Sequence, residues 1–305
     1  MSSAAMHRLP RLTRFGTLGP TYPRHSIRSH GTLQHSLRVL DAPHISYARD
    51  PGHVRGVAAE LQTSGLLKIR LGFPDEFSAY LWDLILSLHK QHGHRLPITH
   101  SATRGWFWDV CPKPPTATGA HYARSETMSE FAWHTDCSYE DPLPRYFALQ
   151  VLQHDRYGGG TLSAMNAASL IRFLSPETRK ALMEPEFRME IPPEFIKDPE
   201  KSFVTGSVLA PHPHSTIIRY RHDIITPLTT RAAKGLEELN AVLVRREVQA
   251  SSTMHLRSSD LPKGSIVLMD NRRWLHARDE IEDPERHLRR VRWDAQPFNI
   301  SNRNT

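Results

Sequence analysis

One of the nineteen histidines, His134, stands two positions before an acid, in Trp133-His134-Thr135-Asp136. On an extended segment residues i and i+2 face the same side, so this imidazole and carboxylate can take adjacent corners of one metal ion. A third ligand must come from elsewhere in the chain. His276 is the best candidate, because it follows the apolar stretch 265–269 and the segment Asp270-Asn271-Arg272-Arg273-Trp274-Leu275. Two imidazoles and one carboxylate on one face leave positions open for exogenous ligands, the donor set of non-haem Fe(II) oxygenases. Arg286, Arg289 and Arg290 lie 10, 13 and 14 positions beyond His276, where a guanidinium could grip a carboxylate in a two-pronged, charge-assisted contact. Gly158-Gly159-Gly160-Thr161 offers a tight turn that delivers a hydroxyl.

Each feature has a plainer reading. A lone His-Thr-Asp in a histidine-rich chain is commonly decoration, and only the downstream constellation argues for a metal. His212-Pro213-His214 lacks a nearby acid and reads as a solvated loop. Trp106 and Trp108 serve equally as packing or as pocket wall, and Cys137 reads as a small filler. The arginine cluster could be a solvated face, yet Leu288 and Val291 set it on an alternating strand, so one parity points inward.

Elements must hold these groups in place. Phe77, Tyr80, Leu81, Leu84, Ile85 and Leu88 form the stripe of an amphipathic helix ending near Gly93. Strands are expected over 66–71, 146–153, 216–221, 253–257, 265–269 and 288–293, with a turn at Leu261-Pro262-Lys263-Gly264. Asn166 and Ser175 are credible N-caps of two short helices, and a longer helix is expected over 230–248. Strands come in runs with helices bunched before and between them. That favours a mainly β fold, an antiparallel sheet or jelly roll with flanking helices, over alternating α/β.

Taken together the motifs resemble the taurine dioxygenase-like (TauD/TfdA) Fe(II)- and 2-oxoglutarate-dependent oxygenases. The likeness rests on Trp133-His134-Thr135-Asp136, on Gly159-Gly160-Thr161 with Thr161 27 residues after His134, on Asp270-Asn271-Arg272 leading to His276, and on Pro284 to Arg290. It spans roughly residues 125–295. The resemblance implies a double-stranded β-helix (jelly roll, clavaminate synthase-like). It implies iron ligation by His134, Asp136 and His276, and a grip by Thr161 and Arg286 on the distal carboxylate of 2-oxoglutarate, with Arg290 near the cosubstrate or a substrate anion. The activity it implies consumes O2 and 2-oxoglutarate, releases succinate and CO2, and abstracts hydrogen from a C–H bond, ending in hydroxylation, desaturation or cyclisation. The stretch before His134, with Arg104 to Trp108 and Tyr122 to Phe131, differs from the sulfonate-binding region of taurine dioxygenases. Substrate selection is therefore expected from Trp106, Phe131, Arg219, Arg221 and Arg290, and a small amino acid or its derivative is the preferred substrate. The rival functions are a non-catalytic metal-binding jelly-roll sensor, a metal-dependent hydrolase, and a specialised-metabolism cyclase of the same family, such as an aziridine-forming amino acid oxidase.

Composition narrows the classes further. The chain has 305 residues and two cysteines, Cys111 and Cys137, which excludes a disulfide scaffold or a cysteine-built zinc module. No apolar run approaches the roughly 18 residues of a membrane span. Walker, dinucleotide-binding, nucleophile-elbow and zincin motifs are missing from the sequence. The net charge of +7 is concentrated in residues 1–40, which hold six arginines and no acid, leaving 33 basic against 32 acidic residues elsewhere. With no basic stripe on a recognisable module, nucleic acid is set aside as a partner. The expected organisation is a basic N-terminal extension over 1–40 and one oxygenase domain over 41–305. The arm reads as a loose extension or an organelle transit peptide, so the compartment expected is the cytoplasm or, with the arm as a leader, the mitochondrion. Oligomeric state is left open.

Overall fold

The computed structural model describes residues 37–101, 105–113, 122–213 and 215–299. The arginine-rich stretch 1–36, Arg104 and His214 lie outside the described residues. Two β-sheets carry the fold. The larger has six strands in the spatial order Arg38–Ala42, Leu66–Leu71, Ser265–Asp270, Leu143–Gln153, His287–Gln296, Phe107–Val110. Only its first pair is parallel. The smaller runs Thr253–Leu256, Leu162–Asn166, Trp274–Arg278, Phe131–His134, antiparallel throughout. Sequence-adjacent strands such as Ser265–Asp270 and Trp274–Arg278 fall in opposite sheets, the wrapping of a jelly roll.

Period-two patterning explains which face each residue takes. Phe147 and Val151 of one strand, Val267 and Met269 of the next, and Leu162, Ala164 and Trp274 from the smaller sheet are buried together between the sheets. Their neighbours of opposite parity, Tyr146, Ala148, Ile266, Leu268, Val291 and Trp293, pack outward against the helices Pro51–Thr63 and Ala79–His92. Behind the smaller sheet, Met165 and Leu275 meet Leu236, Leu239, Val242 and Leu243 of the helix Thr230–Leu243. Each large apolar side chain so buried contributes roughly 1.5–3 kcal/mol, and these three cores fix the inner strands that carry the chemistry.

The helix ends follow local chemistry. Asp75 accepts hydrogen bonds from the free N–H groups of Ala79 and Tyr80 at 2.8 and 3.0 Å. Gly93 closes the same helix with φ +70°, a conformation that costs glycine little. Phe77, expected on the apolar stripe, precedes the helix and is 88% exposed, because the chain turns through left-handed Ser78 before the first helical residue. Asn166 and Ser175 cap their helices as expected, accepting from Ser169 and Thr178. The helix expected over 230–248 breaks after Leu243 and resumes as Arg246–Ser252. Arg38–Ala42 pairs with Leu66–Leu71, so the sheet begins upstream of Asp41. Among the described residues no helix is long and apolar enough to cross a membrane.

Candidate active site

His134 and His276 sit opposite one another on neighbouring strands of the smaller sheet, with ring centroids 4.1 Å apart. Asp136 follows two residues after His134, and its Oδ1 lies 4.0 Å from His134 Nε2 and 3.9 Å from His276 Nε2. One ligand atom from each of the three falls within 4.8 Å of the others, and all three residues are buried. The donor chemistry suits a divalent metal. His134 Nδ1 donates to the Ala132 carbonyl at 2.8 Å, which fixes the tautomer and turns the Nε2 lone pair inward. Burial holds the pKa of His134 well below its usual value, aided by His276. Burial likewise lowers that of His276, to about 4. Both are therefore neutral donors at pH 7. Burial works to raise the pKa of Asp136, but the guanidinium charge of Arg290, with those of Arg292 and Arg221 behind it, keeps it below the usual carboxylate range.

The backbone beneath this triad is clamped. Asn271 Oδ1 accepts from the Asp136 N–H at 2.7 Å, while its Nδ2 donates to the carbonyls of Asp136 and Pro144 at 2.8 and 3.1 Å. Arg290 Nη1 donates to both carboxylate oxygens of Asp136 at 3.0 and 3.2 Å. Parity on His287–Gln296 puts Leu288, Arg290 and Arg292 inside, while Arg289 points out to Asp109 at 2.7 Å. Phe131 stacks on His134 with centroids 3.6 Å apart, and Phe147 lies against His276.

A pocket opens from the triad toward Arg286, walled by Phe131, Phe147, Leu149, Leu162 and Leu288. Arg286 is 6% exposed, and among the described residues its guanidinium has no hydrogen-bond or carboxylate partner. Burial lowers its pKa to about 10, with Asp155 acting in the opposite sense. A cation desolvated without a partner is costly, and a ligand carboxylate would relieve it. Gly160 lies directly beside it: a Cβ there would come within 3.0 Å of Arg286 Nε. The contact would be tight, and the backbone there, at φ +65°, is one that favours glycine.

The structure brings His134, Asp136, His276, Arg286, Arg290, Phe131 and Arg221 to this pocket and its neighbouring lobe. Arg221 bridges to the His134 backbone and binds Asp223 through Nε and Nη2, both at 2.8 Å. Thr161 lines neither lobe. Leu162 begins the inward parity of its strand, so Thr161 precedes it on the other, and the Thr161 carbonyl accepts from the Asp279 N–H at 3.1 Å. Trp106 is likewise absent from the lining. It stands before its strand and stacks on Trp82 of the outer helix at 4.8 Å, and Trp108 takes the inner position, its ring 5.5 Å from the Arg290 guanidinium carbon. Arg219 is buried elsewhere, donating to the Ser207 carbonyl and lying over Phe298 at 4.7 Å. It fits there because Gly206 has no Cβ to occupy the space its guanidinium fills. Sequence reasoning missed Arg278, which lines the pocket and donates to the carbonyls of Thr127 and Ser129. The signal was available, since Arg278 follows His276 by two on the same strand. Asn271, in the Asp270-Asn271-Arg272 motif, is the clamp under Asp136, a role its residue type alone does not reveal.

Fold and site together define a jelly roll on whose inner face two histidines and one carboxylate converge, a donor set that could hold a metal ion. The chain belongs to the taurine catabolism dioxygenase TauD, TfdA family, whose profile matches residues 47–292. It is similar to an L-asparagine oxygenase of Streptomyces coelicolor, 28% identical over 174 residues, which is 57% of this chain and 48% of that protein. The chain thus spans about half the length of that curated relative. Among solved structures it resembles asparagine oxygenase in complex with Fe(II), 2S,3S-3-hydroxyasparagine and succinate, with TM-score 0.64, 20% identity and 84% of each chain covered. It also resembles the non-heme iron oxygenase OrfP in complex with Fe and alpha-ketoglutaric acid, with TM-score 0.60, 17% identity and 82% of each chain covered. At these identities the likeness to solved structures establishes the double-stranded β-helix fold.

Proposed function

We propose that the protein is an Fe(II)- and 2-oxoglutarate-dependent oxygenase that oxidises a small organic molecule of the amino-acid type at a C–H bond. The observation that carries this reading is the joint presence, in one buried pocket, of a His134–Asp136–His276 donor set and an unpaired guanidinium at Arg286. When bound, iron with 2-oxoglutarate and O2 supplies the oxidising power, with succinate and CO2 as co-products. The protein's share is placement. His134, Asp136 and His276 hold the metal as two neutral nitrogens and one anionic oxygen. Arg290 orients the Asp136 carboxylate, and Asn271 clamps the backbone that carries it. Arg286 takes the distal carboxylate of 2-oxoglutarate, and Phe147, Leu149, Leu162 and Leu288 keep water from that end of the pocket. The amino-acid character of the substrate is supported by the relatives, named for asparagine and crystallised with hydroxyarginine.

A non-catalytic metal sensor is a weaker reading, because a structural metal has no need of an uncompensated guanidinium beside it. The test is succinate formation from 2-oxoglutarate by the purified protein with Fe(II), with and without O2. Oxygen-dependent succinate is expected. Turnover of a substrate without oxygen, or with zinc in place of iron, would instead point to a hydrolase.

A further inference from the structure

Apart from Asp136, the substrate side of the pocket offers only positive charge or none. Beyond His134 from Arg286, a second lobe is lined by Arg124, Arg221, Arg290, Ser125, Tyr139 and Phe195 among others. Asp136 is the one carboxylate lining either lobe among the described residues, and it serves the metal. The acids just outside are already engaged. Asp223 is held by two nitrogens of Arg221. Glu126 is held by Lys113 at 2.6 Å and Trp108 Nε1 at 3.3 Å. Glu140 is held by Lys197 at 3.0 Å, and it lines a separate cavity, which shares with the lobe only the stacked rings of Tyr139 and Phe195. The sequence shows that no further acid is in reserve. All 32 acidic residues fall among the described positions, and 1–36, 102–104, 114–121, 214 and 300–305 contain none.

An ammonium group entering this lobe would lose its water and meet the guanidinium of Arg124 beside those of Arg221 and Arg290, already paired with Asp223 and Asp136, and so find no free carboxylate. We propose that the site selects a carboxylate substrate whose nitrogen, where it has one, is uncharged. This deepens the oxygenase reading and rests on it. Two sources share the chemistry: an N-acylated amino acid, or a free amino acid that sheds its ammonium proton on binding. Neutral Ser125, whose buried hydroxyl has no hydrogen-bond partner among the described residues, occupies a position from which an acid could receive an ammonium.

The test is anaerobic calorimetry on protein loaded with Fe(II) and 2-oxoglutarate, in two buffers of different ionisation enthalpy. The ligands are N-acetyl amino acids, the free amino acids and the corresponding amines without a carboxylate. Acetylated ligands should bind with no proton exchange. Free amino acids should bind on the order of a hundredfold more weakly at pH 7 than their acetylated forms, releasing about one proton, or else release that proton while binding best, which identifies the second source. The amines should not bind. Ser125→Asp should shift the ratio of affinities at least roughly tenfold toward the free amino acid. A free amino acid bound without proton release at undiminished affinity would overturn the proposal, as would no acid binding at all to a loaded complex. Failure of 2-oxoglutarate to load would instead refute the oxygenase reading itself.

Discussion

Replacing Arg286 by glutamine should separate ligand binding from folding. In the ligand-free protein this guanidinium is 6% exposed, and among the described residues no carboxylate or carbonyl meets it. Its burial is therefore a cost that the free protein carries, and the lowered pKa of Arg286, about 10, is the electrostatic trace of that cost. A 2-oxoglutarate carboxylate placed against it gains a desolvated, charge-assisted contact. Removing one partner of such a pair costs about 2–5 kcal/mol, or roughly 30-fold to a few thousand-fold in affinity. The neutral glutamine removes the unpaired charge, so the unliganded variant should melt at the parental temperature or above it. The assay is paired: thermal unfolding without ligand, and anaerobic 2-oxoglutarate titration of the Fe(II)-loaded protein. The reasoning is refuted if Arg286→Gln binds 2-oxoglutarate within about threefold of the parent, or if its ligand-free form is strongly destabilised.

Three further perturbations test neighbouring steps. Asn271→Ala leaves the Asp136 N–H and carbonyl without their buried partner. It should cost about 1–3 kcal/mol of stability and lower Fe(II) affinity by about 10–100-fold, read by denaturation and anaerobic metal titration. Trp106→Ala should leave the KM for substrate unchanged, because the ring packs outward on Trp82, whereas Trp108→Ala, which takes away the ring beside Arg290, should raise it. His94 accepts from Trp293 Nε1 at 3.2 Å, and burial lowers its pKa to about 4. Between pH about 6.5 and about 4 the unfolded chain binds this proton and the folded one does not, so its contribution is intact above that window and lost on acidification through it. Urea denaturation at pH 7 and pH 5 should show that loss, and His94→Gln should reduce the slope.

The convergence of His134 and Asp136 was legible from residue type and spacing because an alternating strand makes i and i+2 neighbours, and the strands near Ser265 and Leu288 were legible from apolar runs. What pairs across strands was not. The placement of His276 opposite His134 depends on antiparallel pairing of Trp274–Arg278 with Phe131–His134, and neither segment carries a strong strand pattern. The departures have the same origin. Trp106 and Arg219 have suitable chemistry, but they lie just outside regular strands, where parity no longer decides which way a side chain points. Arg278 was passed over although parity alone set it beside His276. Short strands such as Phe187–Glu190 and Phe203–Gly206 are held by pairing with each other, not by local propensity, and left little trace in the sequence.

The most direct measurement is anaerobic addition of Fe(II) and then 2-oxoglutarate, followed by visible absorption, in the parent and in His276→Ala. A metal-to-ligand charge-transfer band is expected in the parent, saturating at one equivalent of iron per chain, and is expected to be lost in His276→Ala. An unchanged band in that variant, or no band in the parent despite bound iron, would contradict that expectation.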